Sequence, residues 1–376
     1  MHFRPMPLLF RATTTARRLA ERAPRLLREP PEWQTGLIPM DEAAPFDVIH
    51  RRAGATLRHY PKPSDMPQPA AAPRTPVVLV PPLSVHVGVY DLSRERSMVS
   101  YLQARGFDVY LVDWGRASRA DDRRRLADYF AGLLPEMLNR VRVHSGRKRL
   151  SLHGWGGGGH FALCHAAMSA PDAIANLVLV ATPIDYHHSG ALGARVRRMA
   201  ARGRRLREAT GLVFGRMPPV LLHAPGWMSE LALRWGPRDG PADGDDAAYA
   251  EETALRLRAT GVQSHDGAAA YPGGFVADVI DHLWIDNALA AGRLPLRGSR
   301  VGLENVRVPI LVVTGQRDQQ ATPAATRALA DVVSSRDLSF LDIDAGHVGA
   351  LTGEAAARES WPRIADWLCA HDRPRR

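Results

Sequence analysis

The chain has 376 residues, 45% of them hydrophobic and 23% charged, which is enough for one large α/β domain with an insertion or for two domains. Its 49 basic and 39 acidic side chains leave a net charge of +10, so polyanionic partners are favoured over basic ones. No apolar run approaches the roughly 18 residues of a membrane span, and the basic and aromatic spacings typical of nucleic-acid binding are missing. Two cysteines, Cys164 and Cys369, exclude a disulfide framework and are typical of a cytoplasmic protein.

The first 76 residues divide into two segments. Residues 1–30 are basic and amphipathic, and no acidic residue precedes Glu21. This pattern is typical of an organelle transit peptide, of a helix lying on a surface, or of a helix packed on the main domain. Residues 31–76 are rich in proline and predict an extended linker that contains two short alternating strands at 46–50 and 55–60.

Buried strands alternate with amphipathic helices in residues 77–186 and again in residues 301–376. The runs that predict strands lie at 77–80, 107–113, 150–152, 177–180, 309–314 and 338–343. Helical patterns lie between and after them, most clearly at 98–106, 126–143, 323–332 and 360–371. This alternation predicts an α/β fold with a doubly wound, mostly parallel sheet.

Residues 187–300 separate the two halves of this core and have a different character. They contain a basic helix at 192–206, an apolar and proline-containing stretch at 218–235, and helical pieces at 269–289, but no convincing buried strand. Helices inserted between two strands of such a sheet are placed to cover an active site, so we expect a helical lid here.

A glycine-rich turn joins a strand and a helix within residues 149–167. The letters GWGGG at 154–158 fit the pattern G-x-nucleophile-x-G, which is the elbow of the α/β-hydrolase fold. Small residues flank the central position there because the chain turns tightly to present a nucleophile at the edge of the sheet. The nucleophile position is occupied by Gly156, which has no side chain that could attack a substrate.

Two other interpretations of this turn are open. Gly154, Gly156 and Gly159 also fit the dinucleotide fingerprint G-x-G-x-x-G, and a tight turn without chemistry would have the same composition. The fingerprint normally opens its fold and is followed by an acidic residue about twenty positions later. Here two strands precede the turn, and the nearest acidic residues, Asp172 and Asp185, flank that spacing, so the dinucleotide interpretation is disfavoured.

An acid and a base follow the last two predicted strands. Asp318 comes just after the strand at 309–314, and His347 comes just after the strand at 338–343. Either residue alone could be a turn aspartate or a loop histidine. Behind an elbow, and in the chain order nucleophile, acid, base, they predict the carboxylate and imidazole of a hydrolase-type triad.

Four segments carry a more specific signal, and they lie at 80–92 (VPPLSVHVGVYDL), 97–115 (SMVSYLQARGFDVYLVDWG), 271–318 and 346–349 (GHVG). In this order they resemble the motifs of the polyhydroxyalkanoate synthases, hydrolase-fold acyltransferases that polymerise hydroxyacyl-CoA. The resemblance extends over about residues 45–370. The elbow of that family reads G-x-C-x-G-G, so this chain departs from it at the nucleophilic cysteine.

The resemblance assigns a role to each candidate site residue. Gly156 corresponds to the nucleophilic cysteine, Asp318 to the acid and His347 to the base. The backbone N–H groups of Gly157 and Leu83 correspond to the oxyanion donors. The resemblance implies a CoA thioester as substrate or ligand, with no cofactor and no metal.

The missing nucleophile leaves three hypotheses about function. A glycine cannot accept an acyl group, so the protein is expected to bind hydroxyacyl-CoA or polyester without polymerase activity. Alternatively, the Asp318–His347 pair activates water and makes the protein a thioesterase or acyltransferase. A third hypothesis is a non-catalytic partner or regulator of an active synthase. The expected location is the cytoplasm, where residues 1–30 would attach the protein to polyester granules or a membrane, and a homo-oligomer is also compatible.

Three other residues of the sequence could in principle replace the missing nucleophile. Ser84 and His187 are weak candidates. Cys164 lies eight residues past Gly156, just over two helical turns, so the elbow helix carries it away from the turn. A buried cysteine without a basic partner stays protonated and inert, and we expect Cys164 to be a packing residue.

Overall fold

The computed structural model describes residues 44–62, 74–83, 85–93, 96–170, 172–226, 269–296 and 299–372. The strands are β1 (Asp47–Arg52), β2 (Ala55–Tyr60), β3 (Val77–Val80), β4 (Val109–Asp113), β5 (Leu150–Trp155), β6 (Ile174–Val180), β7 (Arg293–Leu296), β8 (Ser299–Gly302), β9 (Ile310–Gly315) and β10 (Leu338–Ile343). The basic segment at 1–30 and most of the proline-rich linker lie outside the described residues.

The helices alternate with these strands as the sequence predicts. They are α1 (Met98–Ala104), α2 (Leu134–Ser145), α3 (Gly157–Met168), α4 (Gly190–Thr210), α5 (Gly273–Asp278), α6 (Pro323–Arg327), α7 (Gly349–Thr352) and α8 (Trp361–Ala370). Short π-helical turns precede α2 and α8 and follow α5, at Asp128–Leu133, Ala356–Ser360 and Val279–Ile285. The ends follow local chemistry: the Ser97 side chain caps α1, and Gly146 ends α2 in the left-handed conformation.

Eight strands form one sheet in the order β1-β2-β4-β3-β5-β6-β9-β10. The six strands from β4 to β10 in this order are parallel, whereas β2 pairs with β4 and with β1 in the antiparallel sense. The predicted doubly wound, mostly parallel sheet is therefore confirmed. The two strands predicted at 46–50 and 55–60 become its antiparallel edge.

Helices cover both faces of this sheet. Successive side chains of a strand point to opposite faces. In β9, Ile310 and Val312 pack into the apolar layer that α2 and α3 complete, whereas Leu311 and Val313 pack into the layer that α1 and α8 complete. A strand buried on both sides must be apolar throughout, and this explains the unbroken hydrophobic runs in the sequence.

The segment between β6 and β9 contains the predicted basic helix, now α4, and the helical pieces α5 and Val279–Ile285. Residues 227–268, including part of the apolar stretch, lie outside the described residues. At the end of this segment β7 and β8 form a short antiparallel hairpin that the sequence did not predict, although β7 is not a buried strand, with one buried residue in four. Leu294 and Val301 are its buried hydrophobic residues. A strand of four residues is too short to show the alternation of apolar and polar residues by which strands are recognised.

Two buried carboxylates tie this inserted segment down. Asp278 accepts hydrogen bonds from the guanidinium of Arg125 and from the backbone N–H of Leu126, the latter at 3.0 Å. Asp281 accepts from Arg207 at 3.2 Å and from the backbone N–H of Gly215 at 2.7 Å. Asp278 therefore ties the inserted segment to residues 125–126 of the core, and Asp281 ties parts of the segment to one another. Its role as a lid remains a prediction.

Candidate active site

The strand–turn–helix at the centre of the sequence is present, with β5 ending at Trp155 and α3 beginning at Gly157. Between them Gly156 has φ of 52° and ψ of −122°, a region that costs an L-residue roughly 1–3 kcal/mol. The turn is held at both ends, since the Gly156 N–H donates to the Val180 carbonyl at 2.9 Å and the Gly159 N–H donates to the Gly156 carbonyl at 3.1 Å. The backbone thus makes the tight elbow that the pattern predicts.

The glycines of the elbow differ in how much space the structure leaves for a side chain. A Cβ added to Gly154 would lie 2.5 Å from Gly159 Cα, and one added to Gly158 would lie 2.0 Å from the Val80 carbonyl oxygen. These two positions have no room for a side chain. A Cβ added to Gly156 would instead meet its nearest atom, His347 Nε2, at 3.4 Å, which is ordinary van der Waals contact. Packing therefore excludes side chains at positions 154 and 158 but not at the nucleophile position.

The acid and the base meet at the carboxyl ends of the last two strands. His347 Nδ1 lies 2.8 Å from Asp318 Oδ2. The carboxylate can only accept, so Nδ1 carries the proton and the neutral ring has its lone pair on Nε2. Nε2 is the atom that faces Gly156. The predicted partners Asp318, His347 and Gly156 are thus brought together in the arrangement of a triad without its nucleophile.

Asp318 is built to stay ionised although it is buried. Its other oxygen, Oδ1, accepts hydrogen bonds from the backbone N–H groups of Gln320 at 2.7 Å and Ala321 at 2.8 Å. Burial alone would raise the pKa of Asp318, but the charge and hydrogen bond of His347 and these two N–H groups outweigh it and hold the pKa below its usual value. The carboxylate can therefore orient the imidazole and stabilise its protonated form.

Trp155 is a further residue of the site that the sequence did not reveal. Its indole N–H donates to the backbone carbonyl of His347 at 3.2 Å, and its ring centroid lies 5.6 Å from the imidazole centroid. Trp155 immediately precedes Gly156, so the elbow itself steadies the loop that carries the base. The only available signal was its position as the variable residue of the elbow pattern.

The expected oxyanion donors lie next to the elbow. Gly157 is the first residue of α3, where backbone N–H groups have no acceptor within the helix. A Cβ on Gly157 would lie 3.5 Å from Pro82 Cβ, which places the segment that carries Leu83 beside the turn. The roles of the Gly157 and Leu83 N–H groups as donors remain a prediction.

The two substitute candidates in the described part of the chain, His187 and Cys164, are not in the state of an activated nucleophile. His187 is held by a hydrogen bond from Nε2 to the Trp284 carbonyl at 2.8 Å. Cys164 is fully buried, and burial raises the pKa of its thiol to about 12, so it stays protonated at neutral pH. Ser84 lies outside the described residues. Among the described residues no cluster of three metal-binding side chains occurs, and the expectation of a site without metal or cofactor remains a prediction.

Comparison with known proteins now identifies the family. The sequence profile of the α/β-hydrolase fold matches residues 84–354, well over half of the chain. The chain belongs to the α/β-hydrolase family. Within the described residues, this α/β hydrolase has no helix that is long and apolar enough to span a membrane.

The relatives with similar sequences are polyester polymerases. The poly(3-hydroxyalkanoate) polymerase subunit PhaC of Synechocystis is 29% identical over 304 residues, 78% of this chain and 77% of that protein. The subunit of Allochromatium vinosum is 27% identical over 330 residues, 86% of this chain and 88% of that protein. The subunit of Haloferax mediterranei is 26% identical over 326 residues, and this chain spans only 63% of its length. The resemblance to the polyhydroxyalkanoate synthases is therefore confirmed.

Solved structures support the fold. The enol-lactonase of Burkholderia xenovorans LB400 aligns with 86% of this chain and 100% of its own at a TM-score of 0.50 and 19% identity. DcsB in complex with a substrate analogue aligns with 87% of this chain and 99% of its own at a TM-score of 0.52 and 15% identity. At these identities the likeness concerns the fold alone.

Proposed function

We propose that this polyhydroxyalkanoate synthase-like α/β hydrolase binds hydroxyacyl-CoA or polyester, lacks the covalent polymerase step, and hydrolyses its ligand slowly with activated water. The observation that carries the proposal is the pairing of a complete acid and base with a glycine at the nucleophile position. Without a thiolate at residue 156 no acyl-enzyme can form at the elbow. The assembled Asp318–His347 pair is what supports residual chemistry rather than binding alone.

The proposed reaction needs only a water molecule in the space beside Gly156. His347 Nε2 takes a proton from that water while its oxygen attacks the carbonyl carbon of the thioester. The oxyanion of the tetrahedral intermediate is stabilised by the N–H groups of Gly157 and Leu83. The carbon–sulfur bond then breaks, and the imidazolium returns the proton to the departing CoA thiolate. The products are a hydroxy acid and free CoA.

The expected rate is low. A positioned general base contributes about 10²–10⁴-fold, whereas losing the nucleophile of a triad removes most of the catalysis that covalent enzymes achieve. Water must also be positioned without the covalent tether that a side chain provides. The reaction should therefore be measurable above background but several orders of magnitude slower than that of an enzyme with an intact triad.

The first test follows free CoA during incubation with 3-hydroxybutyryl-CoA. Release that is lost in His347→Ala, with binding of the thioester retained, supports water activation. Binding without release would reject hydrolysis and leave a ligand-binding protein. A folded protein that neither binds nor hydrolyses the thioester would contradict the whole proposal.

The second test restores the nucleophile. Gly156→Cys should become acylated by 3-hydroxybutyryl-CoA, detected as a mass increase on the intact protein. Gly156→Ala is the matched control, because it adds the same Cβ at the same positive φ without a thiol. Acylation of Gly156→Cys alone would support a retained acyl site. Failure of a folded Gly156→Cys variant to react would indicate that the acyl pocket has been lost as well.

A second candidate function is a non-catalytic partner of an active synthase. It is favoured by the names of the relatives, which are described as subunits of a polymerase. In this case the protein would bind the polyester or the active subunit in the cytoplasm, at the surface of polyester granules. The matching observation would be an active synthase whose rate or granule attachment changes when this protein is added.

A further inference from the structure

The feature that carries a further inference is the outward side of α4 (Gly190–Thr210). At 3.6 residues per turn, six of its large side chains fall within one arc of about 120°. All six are exposed. We call this surface the outer arginine face, and it consists of Arg195, Arg198, Met199, Arg202, Arg205 and Leu206.

The opposite side of α4 is anchored to the rest of the protein. Arg204 donates to the Ile285 carbonyl at 2.7 Å, and Arg207 donates to Asp281 at 3.2 Å and to Asp286 at 2.8 Å. Val196 and other small residues of this side are buried. The helix therefore has inner arginines with structural partners, and its outer arginines cannot be explained by the same contacts.

The outer arginine face is a positively charged surface. Within the described part of the chain, no ion pair joins Arg195, Arg198, Arg202 or Arg205 to an acidic residue. The only acidic residue of the helix is Glu208. A basic residue on almost every turn, without a local counterion, attracts a surface of negative charge.

Two apolar residues lie among these arginines. Met199 is 41% exposed and Leu206 is 44% exposed. They lie three residues before and four residues after Arg202, so all three side chains are neighbours on the same face of the helix. Exposed aliphatic groups gain nothing from contact with a phosphate backbone in water. They do gain from insertion between lipid headgroups, where arginines at the same depth pair with phosphates. We propose that the outer arginine face docks this protein on an anionic phospholipid surface.

The position of α4 gives this docking a consequence for the active site. The Thr322 hydroxyl donates to the His188 carbonyl at 2.8 Å, just before α4 begins. A Cβ on Gly190, the first residue of α4, would lie 3.5 Å from the side chain of Gln319. Gln319 directly follows the acid Asp318. A protein docked through α4 therefore has the first turn of its docking helix in contact with the loop that carries Asp318. This inference does not depend on the proposed hydrolysis.

The experiment measures binding of the full chain to vesicles by co-sedimentation. Vesicles of phosphatidylglycerol mixed with phosphatidylcholine are compared with phosphatidylcholine alone, over a range of salt concentrations. The protein should bind the anionic vesicles and lose affinity as salt rises. Arg198→Ser with Arg202→Ser should weaken binding about 25-fold, at roughly fivefold for each arginine.

Two control variants separate this surface from total charge and from other polyanions. Arg140→Ser with Arg363→Ser removes the same charge from exposed positions on α2 and α8, and it should leave vesicle binding within about twofold. Met199→Ser with Leu206→Ser should weaken vesicle binding at least about threefold while retention on heparin is unchanged. Residues 1–30 are present in every variant, so differences between variants report on α4.

Three results would overturn the proposal. One is equal loss of vesicle binding in the α4 and control arginine variants, which would indicate a non-specific charge effect. Another is vesicle binding that is unchanged in Met199→Ser with Leu206→Ser, together with equally strong binding of the unmodified chain to duplex DNA. That result would make the face a nucleic-acid surface. The third is absence of binding to anionic vesicles by the folded, unmodified chain.

Discussion

The two halves of the active site differ in which parts of a catalytic triad are present. The elbow half keeps its backbone, including a positive φ at Gly156 and glycines at 154 and 158 that no side chain could replace, but it has no reactive group. In the acid–base half, the buried Asp318 carboxylate contacts two backbone N–H groups and His347 Nδ1, and His347 Nε2 faces Gly156.

This difference bears on the proposed chemistry. A buried carboxylate is costly unless hydrogen bonds hold it, and Asp318 accepts three, one from His347 and two from backbone N–H groups. Here all the supports remain, and only the side chain at 156 is missing. The comparison therefore favours a site that moves protons without forming an acyl-enzyme.

The largest predicted effect tests the acid. In Asp318→Asn, the N–H groups of Gln320 and Ala321 require the amide oxygen of the new side chain, so its NH₂ faces His347 Nδ1. Nδ1 must then accept, and Nε2 carries the proton and cannot act as a base. We expect CoA release to fall by about 10³-fold or more, measured at saturating 3-hydroxybutyryl-CoA. Asp337→Asn, on an exposed loop, should have no effect, and an unchanged rate in Asp318→Asn would remove the acid from the mechanism.

The elbow is tested by stability rather than by rate. Gly158→Ala places a Cβ 2.0 Å from the Val80 carbonyl oxygen, so strand β3 or helix α3 must move. We expect the free energy of unfolding to fall by about 3 kcal/mol or more in urea titrations. Gly157→Ala is the matched control, since its Cβ meets only Pro82 at 3.5 Å and its cost should stay below about 1 kcal/mol. Similar losses in both variants would mean that the turn is less tight than it appears.

The charge of Asp318 predicts a pH dependence of stability. Its folded-state pKa is lowered, so ionisation stabilises the folded protein above the unfolded value of about 3.9. This contribution is lost as pH falls through the folded-state pKa. The unfolding free energy should therefore decline between about pH 5 and pH 2 more steeply in the natural protein than in Asp318→Asn. Parallel curves for the two proteins would show that Asp318 is not stabilised as an anion.

Most of the fold could be predicted because it depends on local pattern. The strand at 77–80 was located to the residue, and the elbow was recognisable because its glycines are adjacent in the chain. The hairpin β7–β8 was missed because four residues cannot show an alternation above chance. The support from Trp155 was also missed, because its hydrogen bond joins residues 192 positions apart and depends on how β5 and the His347 loop are brought together.

The smallest predicted effect concerns that support. Trp155→Phe removes the indole N–H that holds the His347 carbonyl, a hydrogen bond of about 1 kcal/mol, and should slow CoA release about fivefold with little change in KM. Trp361→Phe is a matched control, because its buried indole also makes one hydrogen bond to a backbone carbonyl, that of Leu351, at 2.8 Å. Both variants should lose similar stability, but only Trp155→Phe should lose rate. Equal rates of CoA release in the two variants would show that Trp155 contributes only packing and that its hydrogen bond does not position His347.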